Sequence, residues 1–495
     1  MRTNRVLGAA VAAVLVSSAA SAANVDVYAT GSSALRSFFI EDLGVNICGF
    51  VASNYKANVA TGQFLDSSNT AYAPDFTAYQ CTAQATQNGV NAGDVVTLHY
   101  AAEFGSVVGV WTAANPTFSR KFLAPSAAGC PAGSYTVPGK TGAQTGAVWP
   151  TPGSTSYCTA TGYNHVTDSN TTDPNGVLAA STADIAVSDV EPALFSADNW
   201  PSANFDANLR PAALATPPSS TDISNATAAM GVMNGQVFSV IANNLPGTTN
   251  TQTNISLSLT SVRRILQGGY KHWNQVPEFA TLDTASTPIN VCRRDHGSGT
   301  ELATDLTFAG QACAVDGAAA IVAGTTTSYP GTAPWVYEAP SSADMKACVD
   351  SASGTIGILV NANKDSNFNY AVLLIDGYQP NAHNAAAGLY PYAYENWAGV
   401  LANNPGGGNA AATGMVSRAK SFSALTTAAF ANETGSATGG QWIGTSVNAV
   451  YSVVGVDGLT AAQHRKAAQW ATDVLPESMF SRAGDSCATR KNSNL

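Results

Sequence analysis

Residues Val25 to Tyr28 alternate apolar and polar positions, the two-residue period of a strand. After Gly31, the apolar residues Leu35, Phe38, Phe39 and Leu43 recur at helical spacing. The spacing predicts a strand, a glycine turn and a helix. The same order returns where Ile289 to Cys292 runs into the glycine turn 297–299 and a helix carrying Leu302 and Leu306. Further strands are predicted at 95–100, 185–187, 236–242, 355–360 and 370–375, and helices at 261–267 and 461–475. In the first of these helices Val262, Ile265 and Leu266 make one apolar face, Thr260 can cap the start, and Gly268 with Gly269 ends it. Strand-turn-helix units alternating over hundreds of residues predict an α/β fold.

Two stretches break this rhythm. Residues 51–92 and 112–180, rich in Pro, Gly, Ser and Thr, read as loop-rich surface insertions, and 402–440 is a third soft region of Gly, Ala, Asn and Thr. The first 22 residues have the three parts of a secretory signal: Arg2 and Arg5, an apolar run from Val6 to Val16, and small residues ending at Ala22. The mature chain is then expected to start at Ala23 with no cysteine there for lipid attachment. No later stretch reaches the roughly 18 uninterrupted apolar residues that a membrane span needs. These features predict a soluble periplasmic or secreted protein.

Eight cysteines, none in a C-x-x-C pair, fit disulfides in an oxidising compartment. Cys48 with Cys81 and Cys130 with Cys158 each bracket one loop-rich stretch and are expected pairs; the other four are left unassigned. Removing the signal leaves 20 basic against 32 acidic residues, a net charge of −12. Such a balance argues against a nucleic-acid partner. It also argues against long-range steering of an anion, so an anion site here must work through short, directed hydrogen bonds.

Candidate chemistry gathers at turns that follow strands. The sharpest is Arg293-Arg294-Asp295-His296-Gly297-Ser298-Gly299-Thr300, where exposed amides, two hydroxyls and a guanidinium suit a tetrahedral oxyanion, and the glycines let the backbone approach it. Thr30-Gly31-Ser32-Ser33-Ala34 repeats that equipment, and Gly105-Ser106 and Ser188-Asp189 each follow a predicted strand. Singly, each also fits an ordinary helix cap or turn.

Taken in order, the motifs resemble those of the periplasmic phosphate-binding proteins of bacterial ABC transporters. The matching run is Gly31-Ser32-Ser33, Gly105-Ser106, Ser188-Asp189, Leu259 to Gly268 leading to Trp273-Asn274, then Arg294 to Thr300. Gly354-Thr355-Ile356-Gly357 and Leu389-Tyr390-Pro391-Tyr392 match later segments, so the resemblance covers most of residues 24–480 outside the insertions. It implies a two-lobed periplasmic-binding-protein fold of type II, the Venus flytrap. Lobe one would hold residues 23–235, lobe two 236–388, and residues 389–495 would return to lobe one with C-terminal helices. It also implies a ligand shell of Ser32 or Ser33 with the amides of Ala34 and Leu35, then Ser106, Asp189, Arg294, Ser298, Gly299 and Thr300. A monomer that delivers phosphate to ABC-transporter membrane subunits follows, with no cofactor, no metal and no catalysis. The sequence departs from the family at Ala34, where a threonine is common, and at His296, which makes the alignment ambiguous and leaves Arg293 as a lesser candidate for the guanidinium.

Other readings are weaker. Ser298 as a nucleophile beside His296 and Asp295 lacks the G-x-S-x-G pattern, and residues two apart do not readily form a Ser-His pair. The histidines at 99, 165, 272, 296, 383 and 464 show no ligand spacing for a metal. The main alternative from another class is a secreted or surface adhesion or interaction protein on the same fold, with weak or no phosphate binding. Its motivation is the long, sparsely charged insertions and the missing hydroxyl at Ala34.

Overall fold

In a computed structural model of the chain, the described residues are 22–36, 62–66, 76–123 without 85, 87, 88 and 103, 157–159, 178–196, 218–309, 321–339, 342–360, 368–380, 389–401, 409–421 and 442–444, with single positions between. The signal segment, the helix expected at 461–475, Cys48 and Cys130 lie outside them.

The chain first forms β1 (Asn24–Gly31), β2 (Gly62–Asp66), β3 (Phe76–Thr82), β4 (Val95–Ala101), α1 (Ser106–Ala114), β5 (Ser119–Leu123), β6 (Tyr157–Thr159), β7 (Leu178–Thr182) and β8 (Ile185–Ser188). Then follow α2 (Ser220–Ala229), β9 (Gly231–Asn243), β10 (Ser256–Leu257), α3 (Leu259–Leu266), β11 (Asn290–Arg294), α4 (Gly299–Thr304), β12 (Val336–Ala339) and α5 (Ser342–Asp350). The last elements are β13 (Thr355–Val360), β14 (Ala371–Val372), β15 (Leu374–Ile375), β16 (Ala393–Val400), α6 (Asn409–Ser421) and β17 (Trp442–Gly444).

Thirteen strands share one sheet along the path β12-β11-β13-β9-β16-β8-β1-β4-β3-β2-β6, with β14 and β17 also on β9. Each half has a parallel centre: β1 pairs with β4 and β8, and β11 with β12 and β13. Parallel centres are covered on both faces, so their strands are apolar almost throughout; every residue of β8, β11 and β13 is buried. Two longer antiparallel strands join the halves. The Phe238–Asn243 part of β9 pairs with β13, its earlier residues pair with β16, and β16 in turn pairs with β8. The result is a mixed α/β fold of two lobes, with β9 and β16 crossing between them. The expected boundary at 235/236 falls inside β9.

Several elements match the pattern, and others correct it. Leu35, Phe39 and Leu43 are all buried, as the helical spacing after Gly31 requires. In α3 the cap is Ser258, whose hydroxyl accepts from the Ser261 amide at 3.1 Å, and not Thr260, which sits inside the first turn. Gly268, at φ +70°, does end it. The strand expected at 370–375 splits into β14 and β15, which pair with β9 and β10 respectively.

The stretches 51–92 and 112–180 are not only surface elaborations. Strand β3 adds to the main sheet beside β4 with Phe76, Ala78 and Tyr79 buried, and β5 pairs with β7 and buries Phe122 and Arg120. Their polar, turn-rich flanks hid short strands. One disulfide joins two of the cysteines left unassigned, Cys292 of β11 and Cys348 of α5. Cys81 is also disulfide-bonded. Among the described residues no helix is long and apolar enough to cross a membrane.

Candidate functional site

The sequence-predicted residues lie at the carboxyl ends of the central strands of both lobes, the position where open α/β sheets hold ligands. Ser32 follows β1, Ser106 opens α1 after β4, Asp189 follows β8, and Arg294 is the last residue of β11. Strand register brings the first three together, because β1 and β8 run parallel with Gly31 opposite Val187. Gly31 itself sits at φ +124°, and a Cβ there would collide with the Val187 carbonyl, so the close approach needs glycine.

The lobe-one hydroxyls converge on Asp189. Ser32 donates to Asp189 Oδ1 and accepts from the Ala34 amide at 3.1 Å. The Asp189 amide donates to Ser106 Oγ at 3.1 Å. Ser32, Ser106 and Asp189 are all buried, whereas Ser33 is half-buried. Behind them Tyr100 donates its hydroxyl to the Ser32 carbonyl, and the buried Arg120 donates to Thr30, whose own hydroxyl donates to the Ala101 carbonyl at 3.0 Å. This chain of bonds fixes the ends of β1 and β4 from which Ser32 and Ser106 project.

Lobe two closes against this group. The Val107 amide donates to the Gly297 carbonyl at 3.0 Å, and Gly299 lies against Ser106 and Asp189. Ser298 caps α4 by accepting from the Thr300 amide at 3.2 Å, and Ser298, Gly299 and Thr300 are buried. Arg294, 3% exposed, donates from Nε to the Ala339 carbonyl at 3.1 Å, from Nη1 to Ser342 Oγ at 3.2 Å and from Nη2 to Asp295 Oδ1 at 3.2 Å. Its guanidinium is therefore held in one orientation from β12, α5 and its own strand.

Burial pushes the Asp189 carboxyl up to about 6, while the Ser32 hydroxyl, the Arg294 charge and Ser106 pull it the other way. Asp295 behaves alike: burial raises it to about 6 against the pull of Arg294. Both carboxylates lie within the field of the same guanidinium.

Arg293 takes no part in this arrangement. It forms an ion pair with Glu301 at 2.5 Å and donates to the Val322 carbonyl at 3.0 Å. His296 lies 3.5 Å from Arg293 Nη2 through Nδ1 and 3.9 Å from Glu338 through Nε2, while the Ser298 hydroxyl serves the Thr300 amide. A Ser-His nucleophile pair is not what these contacts make. Sequence reasoning missed Ser342, Tyr100 and Arg120, and it weighed Asp295 only as a catalytic partner. Two adjacent arginines and an acid at the end of an apolar strand were the available signal for Asp295; Ser342 and Tyr100 carried none.

No family model and no curated protein matches the chain. Several solved structures resemble it. One is a candidate phosphate ABC transporter substrate-binding protein with bound phosphate from Clostridium perfringens, at 11% identity and TM-score 0.38, covering 79% of this chain and 91% of its own. An ABC-type phosphate transport receptor from Vibrio cholerae has 12% identity and TM-score 0.34, covering 81% and 96%. PstS from Borrelia burgdorferi has 10% identity and TM-score 0.32, covering 81% and 95%. Likeness this slight carries no argument about chemistry, which must rest on the residues themselves.

Proposed function

We propose that the protein binds inorganic phosphate between its two lobes and hands it to the membrane subunits of an ABC transporter, as an exported monomer rather than an enzyme. On this reading residues 1–22 are the export signal, and lobes 23–235 and 236–388 hinge about β9 and β16, with 389–495 returning to lobe one. Ser32, Ser33, the Ala34 amide, Ser106, Asp189, Arg294, Ser298, Gly299 and Thr300 form the shell. The observation that carries the reading is the buried Asp189, held by Ser32 and Ser106 of one lobe and overlain by Gly299 of the other.

The chemistry of that group favours phosphate. Arg294 neutralises one ligand charge, while an ionised Asp189 has nothing to donate and so needs a proton on the ligand oxygen it faces. Phosphate keeps such a proton near neutral pH and sulfate does not. A buried carboxylate set against an unprotonated oxygen is repelled in a medium of low dielectric, which excludes sulfate. Closure of the lobes removes water and strengthens both effects.

Calorimetric titration of the mature protein with phosphate, arsenate and sulfate tests the proposal. Heat of binding with phosphate and none with sulfate is expected. Binding of neither phosphate nor arsenate would overturn it.

A further inference from the structure

Two buried carboxylates lie in the field of Arg294, and one of them keeps an oxygen without a partner. Asp295 takes Arg294 Nη2 on Oδ1 at 3.2 Å, but its Oδ2 is fully buried with no hydrogen-bond partner among the described residues. An acceptor shut away from water and left unpaired is costly, so it points to a donor supplied from elsewhere. Its location is specific. Oδ2 lies 3.4 Å from where a Cβ on Gly297 would stand, and that same point is 3.2 Å from the Phe104 carbonyl and 2.8 Å from Val107 Cγ1 of lobe one. The unpaired oxygen therefore sits beside the seam between the lobes, next to the turn that carries Ser298 and Gly299.

We propose that Asp295 is a second acceptor for a ligand hydroxyl, so that the site takes the doubly protonated phosphate monoanion ahead of the dianion. The inference rests on the phosphate reading above and deepens it. Asp189 asks for one ligand proton from lobe one and Asp295 for another from lobe two, both in the field of the Arg294 guanidinium. A dianion has one hydroxyl and leaves one carboxylate facing a bare oxygen; the monoanion has two and satisfies both.

The surrounding charges leave this balance in place. Arg293 is taken up by Glu301 at 2.5 Å, with Asp305 also in its field. Glu338 of β12 and His296 lie 3.9 Å apart at the half-exposed edge, and Glu338 raises Asp295 further. Tyr100 lies in the fields of Asp189, Arg36 and Arg120. Burial keeps Asp295 near a pKa of about 6, so it shares a proton readily with a ligand oxygen. If Asp295 is protonated, a bare ligand oxygen accepts from it; if it is ionised, a ligand hydroxyl donates to it. Carboxylates and ligand together then hold the same number of protons, and capture weakens as the pH rises past the second ionisation of phosphate.

Phosphite is the discriminating probe, because a hydrogen on phosphorus replaces one hydroxyl and its monoanion brings one donor in place of two. Calorimetry of the mature protein above pH about 6, where Asp295 is ionised, and below the second ionisation of phosphate is expected to give phosphate at least about tenfold tighter than phosphite, the factor one hydrogen bond supplies. In Asp295→Asn the carbonyl oxygen stays with Arg294 and an NH2 group replaces Oδ2, turning an acceptor into a donor. That variant is expected to lose most of the phosphate-over-phosphite ratio and to bind phosphate with a flatter pH profile. A folded Asp295→Asn that keeps both the ratio and the profile overturns the inference while leaving the phosphate reading intact. Should the variant not fold, equal affinities of the unaltered protein for the two monoanions would overturn it as well. Binding of neither anion by the unaltered protein would remove the phosphate reading and this inference together.

Discussion

Gly299 of lobe two rests directly on Asp189 of lobe one: a Cβ at Gly299 would stand 2.6 Å from Asp189 Cβ and 2.5 Å from Ser106 Oγ. The seam thus closes only because position 299 has no side chain. Overpacking a filled contact costs about 1–3 kcal/mol, and here the strain falls on closure rather than on either lobe alone. Gly299→Ala is expected to keep the thermal midpoint of the ligand-free protein while weakening phosphate binding about tenfold or more. Calorimetry checks this, and an unchanged affinity would mean that the ligand does not need the lobes this close.

Asp189 is the residue expected to exclude sulfate. Asp189→Asn places an amide where the carboxylate stood, and an amide can donate to an unprotonated oxygen. Ser32 can still donate to the amide oxygen and Ser106 still accepts from the backbone amide of residue 189, so phosphate binding is expected to weaken only through loss of the carboxylate that accepts the ligand proton, while sulfate becomes a competitor. Displacement of phosphate by sulfate measures it. A variant that still excludes sulfate would remove Asp189 from that role.

Much of this was legible in the chain, for a physical reason. Strands buried on both faces must be apolar, so β4, β8, β11 and β13 stand out as runs, and the polar residues immediately after them are exposed by contrast as candidates. Ser32, Ser106, Asp189 and Arg294 were singled out as candidates that way, each also fitting an ordinary cap or turn until the order of the motifs grouped them. What escaped was whatever depends on pairing between distant segments. Arg120 lies in a stretch whose turn-rich flanks suggested a surface loop, yet β5 carries it inward to Thr30. Ser342 opens α5 and meets Arg294 only because β11 and β12 are neighbours in the sheet. The cysteine pairing likewise follows from α5 packing on β11, which no local spacing encodes.

Asp295 should also leave a mark on stability. Its carboxyl is raised from 3.8 to about 6 in the fold, with burial the leading cause. An acid with a raised folded pKa binds more protons folded than unfolded, so stability falls as the pH climbs from the unfolded to the folded value. The ligand-free protein is therefore expected to lose stability between pH about 4 and about 6, with up to about 3 kcal/mol from this residue at roughly 1.4 kcal/mol per unit. Asp189, also raised to about 6, adds in the same direction. Denaturant melts across that window should be flatter for Asp295→Asn, and an equal slope would show that Asp295 titrates alike in both states.

Arg294→Ala is expected to abolish phosphate binding, because its neighbour Arg293 is committed to Glu301 and does not replace it. The substitution also leaves Asp189 and Asp295 buried without their shared partner, and removing one member of a buried charge set typically costs about 3–5 kcal/mol. The two effects separate in practice. Ser342→Ala removes only the hydroxyl that accepts Arg294 Nη1 and keeps the charge, so a loss of about 1 kcal/mol in stability is expected together with a severalfold weaker affinity. If Ser342→Ala binds phosphate as the unaltered protein does, the orientation of the guanidinium is set by Ala339 and Asp295 without it.

The Cys292–Cys348 bridge reaches the site through the same guanidinium. Cys292 lies two residues before Arg294 on β11, and Cys348 lies on the helix whose first residue, Ser342, accepts from Arg294. A link between residues 56 apart in sequence stabilises by about 4 kcal/mol if the entropy of the unfolded chain is the main term. Opening it should do two things: lower the thermal midpoint, and let α5 shift relative to β11, so that the Ser342 hydroxyl no longer meets Nη1. A Cys292→Ala, Cys348→Ala double variant is therefore expected to bind phosphate severalfold more weakly even at temperatures where it remains folded. Thermal melts and calorimetry on the same preparation separate the two. A lowered midpoint with unchanged affinity would mean that the bridge only staples the lobe, and that packing of α5 on β11, β12 and β13 is enough to hold Ser342 in place.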